Sequence, residues 1–388
     1  MRGYTSQLVM LHSRRQPVEV AAGEMLPAGR RRSGRGREIH FDQTNSMKIA
    51  VVSSPVTPLR PAQPGGAQAM VCDLAAGLSK RGHDVALYCA EGSEVPGMRL
   101  VMVPRPADAA AALVMPQGRP APPAPGVAAA IRAMFEAIRE SEPDAITQHA
   151  FDAPAFEESR GLPVLHTLHL PPLVPAVVAA ARGTPAAQLA TVSSSCLRDW
   201  RAAGVDLARI LRNGVEDVEV PADPPDRVAL VAGRISPEKG IEDAIAAAGA
   251  AGLSARVAGA VYDPAYAVDL RGAERMGELS RMELRRLMAR SAVTVCAIRW
   301  DEPFGLVAAE AQMTGCPVAA YRRGAMPEVI EEGVSGFLAA PNDVHELTRA
   351  VERCLTLDRR QVRASARRRL GLEGAIDGYE SALRELAQ

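Results

Sequence analysis

Residues 228–240 read VALVAGRISPEKG, and this stretch shows the unit from which the chain is built. The five consecutive apolar residues 228–232 predict a strand buried on both faces, because no polar position alternates with them. Ser236 and Pro237 then predict the cap and the first turn of a helix. A buried strand that passes through a short turn into a helix is the repeating unit of α/β folds.

The same unit recurs along the chain. Segment 67–81 places Met70, Leu74 and Leu78 at four-residue steps, and segment 344–357 carries a second apolar stripe. Continuous apolar strands between such helices predict parallel sheets covered on both faces. Strands are predicted at Ile49–Val52, Val85–Leu87, Leu100–Val103, Ala145–Thr147, Val164–Leu165, Leu189–Val192, Val228–Ala232, Ala255–Ala258, Ala292–Ala297 and Pro317–Ala320.

Two Pro-rich interruptions organise this pattern into domains. Residues 104–126 predict a loop, and residues 213–226 predict the connection between two doubly wound, Rossmann-like halves. We therefore predict a first domain over 47–213 and a second over 214–373, with a C-terminal helix, 374–388, packed back on the first domain. Two such sheets leave a ligand cleft at the carboxyl ends of their strands.

Residues 1–46 differ from the rest, with eight arginines, no lysine and few periodic apolar positions. The apolar run 8–11 is too short for the core of a secretory signal. We predict a disordered extension. Two alternatives stay open: an arm that binds an anionic partner, and a natural start at Met47, directly before the first strand.

Composition excludes several classes of protein. The 388 residues hold 45 Lys+Arg and 45 Asp+Glu, so bulk charge does not favour nucleic acid or an anionic membrane surface as a partner. No apolar run reaches the roughly 18 residues of a spanning helix, which predicts no stable membrane insertion. The six scattered cysteines predict buried, reduced thiols in a cytoplasmic protein, without zinc or a disulfide framework. Oligomeric state leaves no signal in the sequence.

Several familiar catalytic motifs are absent from the sequence. It has no GxGxxG after its first strand, no Walker loop, no HExxH and no GxSxG. It also lacks an Asp-x-Asp at the end of an apolar strand, the motif with which one large fold of sugar transferases holds a metal under a diphosphate. We therefore predict no metal site and no bound cofactor.

The turn 233–240 places Arg234 and Lys239 at the mouth of the predicted sheet. Arginine offers a planar fork to phosphate oxygens and lysine a mobile point charge, a combination that suits a diphosphate. A solvated loop with two surface cations fits the spacing equally well, and both interpretations stay open here.

A second charged element follows the strand 292–297, where residues 300–311 read WDEPFGLVAAEA. Pro303 and Gly305 predict a turn into a helix, whose first N–H groups and dipole attract phosphate. Glu302 precedes this helix and Glu310 lies inside it, so they are no close glycosidase-like pair. A dipole partner at 302 and a surface glutamate at 310 remain alternatives.

At this point five ordered motifs resemble glycosyltransferase family 4, which has the GT-B fold, uses nucleotide sugars and retains anomeric configuration. The resemblance extends from Met47 to the C-terminus. The motifs are Gly233-Arg234…Lys239-Gly240, Glu302-Pro303-Phe304-Gly305…Glu310, Gly315-Cys316-Pro317-Val318, Gly324-Ala325-Met326-Pro327-Glu328-Val329-Ile330 and Gly333-Val334-Ser335-Gly336-Phe337-Leu338.

The resemblance implies roles for the second, donor-binding domain. Arg234 and Lys239 would hold the diphosphate of the donor, and the backbone of 304–306 (Phe304, Gly305 and Leu306) would cover its phosphates. Glu310 would accept hydrogen bonds from the ribose, and Glu302 would contact the transferred sugar. Arg234, Lys239, Glu302 and His169 are thus the predicted catalytic residues.

The first, acceptor-binding domain resembles the family more loosely. Gly65 and Gly66 match its glycine loop, and at 66 a Cβ would intrude on the diphosphate. His149 and His169 would face the sugar and the acceptor, although a core or capping histidine at 149 remains an alternative. We reject a metal at His166 and His169, because the sequence offers no third ligand nearby.

Three positions depart from the family pattern. Thr147 stands where the family often has histidine, 296–300 replaces its usual Pro-Ser, and Glu216 replaces the commoner hinge aspartate. None of these departures concerns the residues predicted to bind the diphosphate, but they weaken the transfer of acceptor-side roles from the family.

The family resemblance implies a retaining transfer of a hexose from a nucleotide sugar, with UDP its commonest nucleotide, by front-face attack. The first half has no strongly basic amphipathic helix, which favours a soluble acceptor such as a specialised metabolite over a glycolipid or an envelope polysaccharide. A GT-B epimerase and a catalytically silent nucleotide-sugar-binding protein are the alternatives.

Overall fold

The structure, a computed structural model, describes residues 46–60, 66–112, 124–219, 224–261, 266, 268–270 and 272–388. It contains two parallel sheets flanked by helices. The first part of the chain forms β1 Lys48–Val52, α1 Gly66–Lys80, β2 Asp84–Ala90, β3 Arg99–Val103, α2 Ala109–Ala112, α3 Pro125–Ser141, β4 Ala145–Gln148, α4 Ala153–Glu158, β5 Val164–Leu168, α5 Pro175–Arg182, β6 Leu189–Thr191, α6 Ser194–Ala202 and β7 Arg209–Ile210.

The second part of the chain repeats the alternation. It forms β8 Asp226–Ala232, α7 Ile241–Ala250, β9 Ser254–Ala258, β10 Ala273–Gly277, α8 Arg281–Arg290, β11 Ser291–Cys296, α9 Leu306–Met313, β12 Val318–Tyr321, α10 Met326–Val329, β13 Gly336–Ala339, α11 Val344–Cys354, α12 Arg359–Leu370 and α13 Leu372–Leu386.

Each sheet is doubly wound, as the sequence predicted. The seven-stranded sheet has the order β3-β2-β1-β4-β5-β6-β7, and the six-stranded sheet has the order β10-β9-β8-β11-β12-β13. All strand pairs in both sheets are parallel. The strand order therefore reverses between β1 and β4 in one sheet and between β8 and β11 in the other. Ligands of open α/β sheets bind at such points, beyond the carboxyl ends of the strands.

We define the first domain as the seven-stranded sheet with α1–α6 and α13, and the second domain as the six-stranded sheet with α7–α12.

The apolar stripe of α1 is confirmed: Met70, Leu74 and Leu78 are buried. In α11, Leu347 and Val351 are buried in the same way, and the Asp343 side chain caps the helix by accepting a hydrogen bond from the N–H of Glu346. All six cysteines are buried and unpaired, as predicted.

The chain passes between the domains at two neighbouring places. Val215 donates its N–H to the carbonyl of Leu370 at 2.8 Å and accepts the N–H of Leu372 at 3.0 Å. A Cβ added to Gly214 would lie 2.5 Å from the Cα of Leu372, so only glycine permits this approach. Beyond the second crossing, α13 packs against α1, where a Cβ on Gly77 would lie 2.1 Å from Ile376.

Some segments differ from the sequence-based expectations or fall outside the description. The predicted loop 104–126 contains α2 and the first residues of α3, and the predicted extension 1–46 lies outside the described residues except for Ser46. The domain limits 47–213, 214–373 and 374–388 stay predictions. No helix within the described part of the chain is long and apolar enough to cross a membrane.

Candidate active site

The charged segments singled out from the sequence follow β8 and β11, the two strands that flank the reversal point of the second sheet. The glycine loop follows β1, and His149 follows β4, the corresponding pair in the first sheet. Doubly wound topology therefore places all four segments at the edges where such sheets bind ligands.

The turn after β8 differs in one detail from its prediction. Pro237–Lys239 forms a single 3₁₀ turn, and α7 begins only at Ile241. Ser236 lies at the N-cap position of this 3₁₀ turn, as predicted, but its side chain makes no capping hydrogen bond; its hydroxyl donates to Oε1 of Glu238 at 2.6 Å instead. Gly240 joins the two elements with φ +58°, and a Cβ there would lie 2.0 Å from the carbonyl oxygen of Ala297. The glycine after the lysine thus permits a close approach of the β8 and β11 turns.

Lys239 and Glu302 form an ion pair across these two turns. The lysine Nζ lies 2.8 Å from Oε2 of Glu302, and the side chains are only 17% and 15% exposed. Trp300 donates its indole N–H to the same oxygen at 2.9 Å, and the ammonium lies 5.7 Å from the centre of its ring. The carboxylate and the indole thereby orient the ammonium at the reversal point. Arg234, 43% exposed, contacts Glu238 at 3.4 Å.

Helix α9 begins directly after Gly305, whose φ is +94°. A Cβ at this position would lie 2.0 Å from the Cε of Met326, so the turn is closely packed from behind. The first N–H groups of α9 have no intrahelical acceptor, as at any helix start. Gly66, in the first domain, faces this start: a Cβ built on Gly66 would lie 3.5 Å from Cδ1 of Leu306. Gly65 lies outside the described residues.

Glu310 is buried, which rules out the surface alternative. Arg281 donates from Nε to its Oε1 at 2.8 Å, and Arg285 approaches the same oxygen at 3.4 Å. Arg281 also reaches Asp73, on α1 of the first domain, with contacts of 2.7 and 2.9 Å. Burial lowers the pKa of Arg281, but hydrogen bonds and charge from Asp73 and then Glu310 raise it more. One guanidinium therefore joins the two domains beside Glu310.

The two histidines on the first-domain side of the site are neutral. Nδ1 of His149 lies 2.9 Å from Nε2 of His169, and its Nε2 lies 2.9 Å from the hydroxyl of Thr147. Burial lowers the pKa of His169 to about 4 and holds that of His149 well below its usual value. The Tyr379 ring, from α13, lies 5.8 Å from His149 and is fully buried.

His166, by contrast, belongs to the core. It stacks on Phe156, with ring centres 4.3 Å apart, and its nitrogens contact Ser159 and Gln148. Among the described residues, no group of three or more His, Cys, Asp or Glu side chains could hold a metal ion.

The structure thus brings predicted residues together in three places: Lys239 with Glu302, Gly66 with Leu306, and His149 with His169. Glu310 does not join the first group and is held by arginines instead. Sequence reasoning missed Arg281 and its partner Asp73. The capping box formed by Ser280 and Glu283 marks the start of α8 in the sequence, but no local pattern shows which carboxylates the next arginine reaches.

Two facing doubly wound sheets, with cations and a helix start at the reversal point of the second, define the class of two-domain GT-B proteins. Two family models match adjoining parts of the chain: "Glycosyltransferase Family 4" over residues 64–219 and "Glycosyl transferases group 1" over 216–370. Together they span 64–370, most of the chain. The chain belongs to the family 4 type of GT-B glycosyltransferases.

Curated relatives match over shorter stretches. Glycogen synthase of Mycobacterium tuberculosis is 32% identical over 163 residues, 38% of this chain and 39% of that protein. D-Inositol 3-phosphate glycosyltransferase of Thermobifida fusca is 36% identical over 110 residues, 27% of this chain and 25% of that protein. The matches span about two fifths or less of the length of these relatives.

Solved structures match almost the whole described fold. HepE of Anabaena, in complex with UDP-glucose, has a TM-score of 0.67 at 20% identity, with 87% of this chain and 100% of that chain covered. AviGT4, a glycosyltransferase involved in avilamycin A biosynthesis, has a TM-score of 0.64 at 22% identity, with 88% and 98% covered. At these identities the likeness shows the fold.

Proposed function

We propose that the protein transfers a hexose from a nucleotide sugar, UDP-linked in the first instance, to a hydroxylated acceptor with retention of anomeric configuration. The observation that carries this proposal is the Lys239–Glu302 ion pair at the reversal point of the second sheet, next to the start of α9. The presence of UDP-glucose in the HepE structure supports the choice of donor for a first test.

The proposed mechanism follows from where charge develops. Breaking the bond between sugar and diphosphate places negative charge on the leaving phosphate. Arg234, Lys239 and the free N–H groups of α9 would stabilise that charge more in the transition state than in the bound donor. Because Glu302 and Trp300 already orient the ammonium of Lys239, little reorganisation accompanies the reaction.

We assign the remaining groups by position. Glu302 would exchange part of its contact with Lys239 for a hydroxyl of the transferred sugar, and Glu310 would accept from the ribose through the oxygen that the arginines leave available. Gly66 would pass its backbone close to the diphosphate opposite Leu306. His169 would face the sugar from the first domain. The leaving phosphate would take the acceptor proton in a front-face attack.

A donor-only experiment separates this proposal from its alternatives. The protein is incubated with UDP-glucose and, in parallel, with ADP and GDP sugars, while NMR follows the anomeric protons. A transferase hydrolyses the donor slowly, with water in place of the acceptor, and releases nucleotide and free sugar; the anomer formed first, observed before mutarotation, has the configuration of the donor. An epimerase produces a new nucleotide sugar, and a silent binding protein, which a thermal shift with UDP would identify, produces neither. Either of the last two outcomes overturns the proposal.

We further propose that no metal ion takes part, because arginine and lysine supply the positive charge at the diphosphate. Activity should survive dialysis against EDTA unchanged. Loss of activity with EDTA, restored by Mg²⁺ or Mn²⁺, would contradict this assignment.

For the acceptor, we propose a soluble hydroxylated small molecule. The description of AviGT4 as acting in avilamycin A biosynthesis supports this class of acceptor. Transfer should then proceed to soluble compounds in buffer without detergent or lipid. Transfer only to glycolipid presented in vesicles, or only to polysaccharide, would replace this proposal with the alternative acceptor class.

A further inference from the structure

Thr147, His149 and His169 form a buried chain of polar contacts at the carboxyl ends of β4 and β5, the edge where such sheets bind ligands. We propose that Thr147 and His149 are positioning residues that fix the tautomer of His169, so that His169 presents Nδ1–H to the ligand as a hydrogen-bond donor. That this N–H binds a donor sugar or an acceptor rests on the proposed function, whereas the assignment of the tautomer is independent of that function.

His149 has no ring nitrogen left for a ligand. Its Nε2 contacts the Thr147 hydroxyl at 2.9 Å, and its Nδ1 contacts Nε2 of His169 at 2.9 Å. His149 is also only 7% exposed. It therefore acts on the cleft only through His169.

These contacts leave two arrangements of the protons. A neutral imidazole has one N–H, so the three groups form either of two continuous chains of donors and acceptors. In one, Thr147 donates to His149, His149 donates from Nδ1 to His169, and His169 keeps its proton on Nδ1. In the other, every bond is reversed, and His169 presents a bare Nδ1.

The hydroxyl of Thr147 decides between these two chains. Thr147 is fully buried, and among the described residues its hydroxyl has His149 as its hydrogen-bond partner. If it accepted from His149, its own proton would be buried without an acceptor, which is costly. If it donates, it is satisfied. The geometry therefore favours the first chain.

The surroundings keep the pair neutral, so the tautomer question is the relevant one. Both histidines are buried, and this desolvation lowers the pKa of His169 to about 4. Tyr379, whose hydroxyl is uncharged, packs against His149 from α13. The remaining nitrogen of His169, Nδ1, has no hydrogen-bond partner among the described residues. His169 follows β5 at the carboxyl edge of the first sheet, where such sheets bind ligands.

The proposal is specific to this chain, because it depends on Thr147. A histidine at 147 would place a third imidazole at the start of the chain, with a donor or an acceptor nitrogen according to its own tautomer. The hydroxyl of Thr147 can be satisfied only as a donor to His149, so a single arrangement of protons is favoured along the chain.

The test measures the tautomer directly. Protein labelled with ¹⁵N-histidine is examined by long-range ¹H–¹⁵N correlation near pH 7.5, and His169→Gln identifies the His169 signals by difference. We expect a protonated, pyrrole-like Nδ1 and an imine-like Nε2 for His169. The opposite pattern in the wild-type protein overturns the proposal, whatever the donor sugar proves to be.

Two variants test the role of Thr147. Thr147→Val keeps the shape and removes the hydroxyl; Thr147→Ser keeps the hydroxyl. In Thr147→Val we expect a mixture of His169 tautomers and a loss in kcat/KM of about tenfold, and in Thr147→Ser we expect both to be restored. A valine variant with the wild-type tautomer and wild-type kcat/KM contradicts the positioning role. If it fails to fold, the wild-type spectrum still decides the tautomer.

Discussion

The two sides of the cleft are built from different chemistry. The second domain presents permanent charges, with Lys239 paired to Glu302 and Arg281 paired to Glu310. The first domain contributes a backbone glycine, Gly66, and His169, which burial holds neutral together with its partner His149. The difference matches the proposed reaction: the side that stabilises a departing diphosphate needs fixed positive charge. The side that orients sugar and acceptor hydroxyls needs directional, uncharged hydrogen bonds.

The charged side should carry the largest effect on catalysis. Lys239→Ala removes a preorganised cation from the leaving phosphate, and we expect kcat to fall by at least 10²–10³-fold, which is about 3–4 kcal/mol. Steady-state kinetics with the donor sugar measure this loss, and circular dichroism checks the fold. The matched control is Lys80→Ala, an exposed lysine at the end of α1, which should behave as wild type. Near-normal turnover of Lys239→Ala would contradict the role of Lys239 at the leaving phosphate.

Arg281 forms a charged contact between the two domains, and removal of its guanidinium should lower the stability of the protein. Arg281→Met leaves the buried Glu310 and the largely buried Asp73 without their main partner. We expect a loss of about 3 kcal/mol in the free energy of unfolding, measured with denaturant, because breaking a buried ion pair strands the remaining charge. Arg286→Met, at an exposed position on the same helix, is the control. Equal stability of the two variants would show that the bridge contributes nothing.

Gly66 tests whether the first domain contributes through its backbone alone. A Cβ at this position makes only an ordinary contact with Leu306, at 3.5 Å, so Gly66→Ala should unfold like wild type. If the diphosphate approaches as proposed, the same methyl group should raise the KM for the donor on the order of tenfold. Gly249→Ala, where a Cβ meets no atom within 4 Å, is the control. An unchanged KM would remove Gly66 from the donor site.

The lowered pKa of His169 should appear in the pH dependence of the stability of the protein. Between the ordinary histidine pKa near 6.5 and the folded pKa of about 4, the unfolded chain binds a proton that folded His169 does not. Stability should therefore fall as pH falls through this window, by up to about 1.4 kcal/mol per pH unit for each such histidine. His169→Gln should flatten the slope relative to the exposed control His345→Gln. Parallel slopes in the two variants would contradict a neutral, buried His169.

The same contrast explains what the sequence could predict. All ten predicted apolar runs are strands, whereas the three strands without a predicted run, β7, β10 and β13, are sheet edges. Edge strands here are short or partly exposed, and a strand such as Ala273–Gly277 lacks the continuous apolar pattern of an interior strand. The edge strand β3 is the exception: its apolar run 100–103 was predicted although Met102 is exposed.

The site divides in the same way. Lys239 and Glu302 stand in a compact motif with fixed spacing, so the sequence could indicate them before any contact was known. Arg281 and Asp73 are 208 residues apart, and only assembly of both domains shows that they meet. The histidine pair has the same character: 149 and 169 directly follow the adjacent strands β4 and β5, and their contact depends on the register of these strands. Glu310 is buried because α9 packs among other elements, not because of its own neighbours in sequence.

The paired crossings at Val215 and Leu370–Leu372 have a mechanical consequence. Two covalent connections that run side by side, joined by backbone hydrogen bonds, leave one pivot between the domains. Sliding of one sheet past the other would break the two backbone hydrogen bonds of Val215, whereas rotation of the domains about this point would leave both bonds intact. An opening rotation of the domains would then widen the cleft most far from this pivot and least beside it. Gly214 lies at the pivot, where a Cβ would lie 2.5 Å from the Cα of Leu372.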